Sequence, residues 1–330
     1  MAIIGVTAGQ GGLTTADGRP LDAALAPALA ALAPRAPVVV LVHGYKFSPE
    51  RAADDPHCTL YAARPAEGSW KEPSWPVGLG FDPDDAEAGL CLGFGWDAVE
   101  PHLASLLATG RSGFARVYDR AGETGLRFAD LLRRLAVLAP ERTVDVLAHS
   151  LGARVALAAL PHVEVAPGRM LLLGAAEFGA RAREALAACR APRKPAVYNV
   201  TSRANDAYDL AFETFAPRRN WGERALGLGL RTPPPCWLDL QLDRADVTDW
   251  INAQGVALRP AEARLCHWSF YTRPGAFEVY QAILRRRPGW DLGSLRASLA
   301  FATQEPRWSR FAPRGPVAQR FGVGRGLGRA

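Results

Sequence analysis

Five consecutive apolar residues, Val38–Val42, run without a polar interruption and stop at His43-Gly44-Tyr45. An unbroken β-branched run of this kind predicts a strand buried on both faces of a parallel sheet. Cys91–Trp96, Thr143–Ala148, Met170–Leu173 and Ala196–Thr201 are further strand candidates, and Arg264–His267 reads as a short strand end. Between them the apolar spacing changes to a helical period. Residues 21–33, 121–138, 153–160 and 181–189 read as helices, with Leu126, Phe128, Leu131, Leu132 and Leu135 among the apolar positions of the longest. Pro274 opens a last helix that runs to Ile283, at a first-turn position where its missing N–H costs nothing. Strands alternating with helices predict an α/β fold with a mostly parallel central sheet and helices on both faces.

Two stretches lack a sustained period. Residues 46–90 hold Pro, Asp, Gly and scattered aromatics, and residues 212–262 are broken by Pro233-Pro234-Pro235. Both are expected to be loop insertions over the carboxyl edge of the sheet, with Trp70, Trp75 and Trp96 as candidates for lining a pocket there. The expected organisation is one domain over residues 1–305 and an Arg/Gly-rich tail over 306–330 that is poorly ordered at its end.

Composition narrows the class. At 330 residues, 48% hydrophobic and 22% charged, the chain is long enough for a large core and has no apolar run of membrane-spanning length. Met1–Gly12 carries neither a basic stretch nor a small-residue cleavage pattern, so the expected compartment is the cytoplasm. The net charge of +6 comes from 39 Lys plus Arg, of which only Lys46, Lys71 and Lys194 are lysine. With Ala, Gly and Pro also abundant, this reads as coding bias. The arginines form no stripe interleaved with aromatics, so no nucleic-acid partner is expected. The five cysteines, Cys58, Cys91, Cys189, Cys236 and Cys266, have no C-x-x-C spacing and read as isolated thiols. Gly9-Gln10-Gly11-Gly12 is followed by neither Lys-Ser/Thr nor a helix signal, which argues against a phosphate loop. No metal or other cofactor is expected.

The strongest chemical signal is Asp145-Val146-Leu147-Ala148-His149-Ser150-Leu151-Gly152-Ala153. A strand runs into Ser150 and a helix begins directly after it. This is the G-x-S-x-G nucleophile elbow with Ala148 for the first glycine. The turn forces the residues two before and two after the serine almost into contact, and Ala148 and Gly152 are both small. An elbow of this kind leaves a hydroxyl exposed at a helix N-terminus, where partial positive charge favours a developing oxyanion.

With the Val38–Val42 strand, His43-Gly44-Tyr45, the Ser150 elbow and the segments at Asp206 and His267, the chain resembles the serine hydrolases of the α/β-hydrolase fold over about residues 35–285. Phe94-Gly95-Trp96 and Asn199–Asp206 resemble the DUF900-like bacterial branch. The resemblance implies the order nucleophile, acid, base. Ser150 would then be the nucleophile, Asp206 the acid and His267 the base, since no other histidine lies so far downstream. Asp209 and Glu177 remain alternatives for the acid. The backbone N–H groups of Tyr45 and Leu151 would form the oxyanion hole, with His43 bracing that loop and His149 pointing away from the site. The implied activity is hydrolysis of a small carboxylic ester, with an apolar acyl chain favoured, through an acyl-enzyme. An acyltransferase or thioesterase on the same triad, and a non-catalytic binding protein of the same fold, are the alternatives.

Overall fold

The computed structural model describes residues 3–9, 11–64, 70–85, 87–100, 112–300 and 303–312. Eight strands form one sheet: β1 (Ile3–Gly9), β2 (Gly12–Thr15), β3 (Val38–Val42), β4 (Leu90–Trp96), β5 (Val144–His149), β6 (Arg169–Leu173), β7 (Ala196–Thr201) and β8 (Trp237–Gln241). Their order is β2-β1-β4-β3-β5-β6-β7-β8. All neighbours are parallel except the β1–β2 hairpin, which turns at Gly9 and Gly12.

β3 shows why the sheet holds. Its five residues are all buried, yet they serve two cores. Val38, Val40 and Val42 face one cluster, and Val39 and Leu41 the other, as the two-residue period of a strand demands. Each such side chain contributes about 1.5–3 kcal/mol on burial. The first core is closed by α1 (Leu21–Ala30), α3 (Gly113–Leu138), α4 (Leu151–Ala159) and α5 (Gly179–Ala188). The second is closed by α2 (Trp75–Gly78), α7 (Ala245–Ala253), α8 (Ser269–Thr272), α9 (Ala276–Leu284) and α10 (Leu292–Ser298). One more helix, α6 (Asp206–Phe215), follows β7 and sends Phe212 into the first core. No helix among the described residues is long and apolar enough to cross a membrane.

Three expectations change here. Residues 212–262 are not a loop insertion: they contain the end of α6, the edge strand β8 and α7. Proline at 233–235 interrupts the chain just before β8, at an edge where strand proline is tolerated. Arg264–His267 forms no strand, and the chain there turns directly into α8. Residues 306–312 of the expected tail are docked. Arg307 bonds Glu213, the Trp308 N–H donates to Asp206, and Arg310 bonds Asp243. Residues 313–330 lie outside the described residues.

Candidate active site

The parallel strands end at one edge, and reactive groups in such sheets gather there. β5 ends at His149, and α4 starts at Leu151. Ser150 between them has φ 54° and ψ −122°, a backbone conformation that costs a non-glycine residue about 1–3 kcal/mol. The surroundings hold it there. Its N–H donates to the Leu173 carbonyl at 3.0 Å, and its own carbonyl accepts from the Ala176 N–H at 3.0 Å. The elbow's small residues are required sterically. A Cβ on Gly152 would lie 2.3 Å from the Val42 carbonyl oxygen, and one on Gly44 would lie 2.6 Å from Ser150 Cβ.

That second contact also brings the loop after β3 against the serine. The Leu151 N–H, first in α4, has no carbonyl four residues back to bond within the helix. Among the described residues neither it nor the Tyr45 N–H donates to another backbone group. Two free donors therefore flank Ser150. His43 braces this loop, as its sequence context suggested. Its Nε2 accepts from the Trp96 N–H at 3.1 Å, so Nδ1 carries the proton and donates to the Gly44 carbonyl at 2.8 Å. Burial lowers its pKa to about 3, against the Gly44 hydrogen bond.

Ser150 and His267 line one cavity of about 590 Å³. Among the described residues no hydrogen bond joins the two side chains, and such contacts commonly tighten only when substrate is bound. The His267 ring is held on three sides. Tyr208 stacks on it at 4.8 Å, His149 packs at 4.5 Å, and Nδ1 meets Asn205 Oδ1 at 2.7 Å. An amide oxygen only accepts, so Nδ1 carries the proton and Nε2 is left with a free lone pair. Burial lowers the His267 pKa to about 4, which keeps the ring neutral at ordinary pH.

The acid expected at Asp206 is not there. Its carboxylate pairs with the fully buried Arg203 at 3.1 Å and accepts the Trp308 N–H at 2.6 Å. Neither contact involves His267. Glu177 is also occupied elsewhere: the Tyr118 hydroxyl, Arg154 and its neighbour's N–H, from Phe178, all donate to it. Asp209 does line the cavity, but it meets Asn205, whose Nδ2 donates to its Oδ1 at 2.9 Å. The residue that holds His267 is thus Asn205, which sequence reasoning missed by one position. Ser202 caps a short 3-10 turn over 203–205, and α6 begins at 206. Successive helical residues point about 100° apart, so Asn205 and Asp206 face different ways. The signal was present: 205, 208, 212 and 215 share one helical face, and Arg203 stands three residues before Asp206.

The cavity wall also differs from expectation. Trp96 is fully buried and stacked on His43, and Trp75 is buried against Tyr61 and Tyr271. Trp70 is 66% exposed, edge-on to Trp268. None of the three lines the cavity. Its apolar wall comes from Phe47, Phe114, Tyr208, Phe212, Phe215 and Trp268, with Lys46, Asp54, Lys71 and Glu72 adding charge. The segment 46–90 does contribute, through these charged residues and Phe47. His149 does not point away but lines the cavity beside His267.

No family model matches the chain, and no curated protein matches it.

Proposed function

We propose that the chain is a serine hydrolase of the α/β-hydrolase fold that cleaves carboxylic esters with an apolar acyl group. The observation that carries this reading is the strained Ser150 at a strand-to-helix turn, sharing a cavity with a neutral, anchored histidine. A serine hydroxyl is a weak nucleophile until a base removes its proton. In this reading His267 Nε2 takes that proton as Ser150 Oγ attacks the acyl carbon. The Tyr45 and Leu151 N–H groups receive the negative charge on the carbonyl oxygen. His267 then protonates the departing alcohol, and a water activated by the same nitrogen releases the acid. Asn205, rather than Asp206, fixes the imidazole in the tautomer this requires. The aromatic wall from Phe114, Tyr208, Phe212 and Phe215 supports an apolar acyl chain.

The test is a panel of p-nitrophenyl esters of rising acyl length, run with a fluorophosphonate probe. Wild type should hydrolyse them, and the probe should label Ser150. Ser150→Ala should lose both, with the rate falling on the order of 10⁴–10⁶-fold. Undiminished hydrolysis or labelling in that variant would overturn the reading.

A further inference from the structure

Behind Asn205 lies a carboxyl group that the reaction as described does not use. Asp209 is 2% exposed. One oxygen accepts from Asn205 Nδ2, and the other, Oδ2, has no hydrogen-bond partner among the described residues. That second oxygen lies against Gly227, where a Cβ would come within 1.9 Å of it. A glycine there is the condition for the carboxyl to occupy its site at all. An unpaired carboxylate oxygen in the interior is costly, and a hydrogen bond to a surface group would have avoided the cost.

We infer that Asp209 is a positioning residue for His267, acting through Asn205 in a chain Ser150–His267–Asn205–Asp209. This rests on the reading of His267 as the base. Each link has a fixed direction. His267 Nδ1–H donates to Asn205 Oδ1, and Asn205 Nδ2–H donates to Asp209 Oδ1. Turning the amide over would set a donor against Nδ1–H, so the Asp209 acceptor locks the amide and the amide locks the histidine tautomer. An amide does not relay protons, so the proton from Ser150 stays on His267. Asp209 contributes its charge, which stabilises the imidazolium two hydrogen bonds away.

The charged groups facing Asp209 are Arg203, Asp206 and Glu213 from its own segment and Arg307 from the docked residues 303–312. Burial outweighs the two arginines and raises its pKa to about 7. The charge is therefore present above neutrality and lost as pH falls through 7. His267 itself protonates only near 4. In wild type kcat should fall in two steps on acidification, the first near pH 7 and the second near pH 4.

The experiment combines Asp209→Asn, the exchange Asn205→Asp/Asp209→Asn, and proton NMR of the His267 Nδ1–H. Asp209→Asn should lower kcat by about 10- to 100-fold with KM unchanged, and the step near pH 7 should vanish. The exchange keeps both hydrogen bonds while moving the carboxylate next to His267, so it should recover most of the loss. In wild type the Nδ1–H resonance should move with a midpoint near pH 7, whatever the substrate. A resonance flat through neutrality, a wild-type kcat profile in folded Asp209→Asn, or an exchange variant no better than the single one would each overturn the inference. If wild type hydrolyses no ester but the resonance does titrate, the chain stands and the hydrolase reading fails instead.

Discussion

One position separates the amide that holds His267 from a carboxylate that does not. Asp206 is bound to a guanidinium with no exposure at all, that of Arg203. Removing one partner of such a pair leaves a buried charge uncompensated, at a cost of about 3–5 kcal/mol. Asp206→Asn is therefore expected to lower the melting temperature by several degrees while kcat, measured well below the melt, stays within a few-fold of wild type. Asn205→Ala strips His267 Nδ1 and Asp209 Oδ1 of their partner and should also lower the melt, but its kcat, measured well below that melt, should drop about 10²- to 10⁴-fold. Thermal melts and kcat recorded on both variants decide this. A collapse of kcat in Asp206→Asn at an unchanged melt would return the carboxylate to the site. Position after the strand does not separate the two residues, because both are polar, adjacent and downstream of it; only the helical spacing of 205 with 208, 212 and 215 does. The start of α6 decides which one looks inward.

At the scale of elements, α6 forms much of the cavity wall. Tyr208, Ala211, Phe212 and Phe215 all line the cavity from this one helix. Ala211 is the small member of the group, so Ala211→Phe should shorten the space available to an acyl chain. Acetyl ester turnover should hardly change, while KM for medium-chain esters should rise about tenfold or more, a chain-length profile that a series of p-nitrophenyl esters measures directly. An identical profile in wild type and variant would remove α6 from the pocket. The elements that were legible beforehand are those with a strong, uninterrupted period. β3, β5, β6 and β7 are five or six residues of mostly apolar side chains, and α3 keeps its stripe across 26 residues. β1, β2 and β8 escaped notice for physical reasons. β2 is four residues long with little buried surface, and Trp237-Leu238-Asp239-Leu240-Gln241 mixes a half-buried aspartate into an edge strand. Asp239 is tolerated there because Asn199, Trp237 and the Leu230 N–H all donate to it, and Asn199 comes from the neighbouring strand β7, forty residues away.

Across the whole molecule, residues 303–312 tie the acid-rich flank of the site together. Gln304 meets Thr201, Glu305 meets Gln241, and Arg307 meets Glu213 at 2.9–3.0 Å. A chain ending at residue 302 loses every one of these contacts and leaves Asp206, Glu213 and Asp243 with fewer donors. It should be destabilised by about 3 kcal/mol or more in urea denaturation. A chain ending at 312 keeps all of these contacts, so the pair of truncations separates the docked segment from the residues after it. Equal stability of all three would show the docking to be energetically idle.

The order of the sheet carries a further consequence, for synthesis. From β3 onward nearly every strand joins an edge already built: β4 on one side, then β5, β6, β7 and β8 in turn on the other. β1 breaks that sequence, since Ile3 pairs with Cys91 and Ala8 with Trp96. A ribosome therefore releases β1 long before its docking edge exists, and must translate through Trp96 before the strand can seat. Until then Ile4 and Val6, both buried in the finished protein, are exposed beside unpaired backbone, a state prone to association with other chains. Slow codons placed before residue 90 should lengthen that window and lower the soluble yield, whereas the same codons placed after 150 should leave it unchanged.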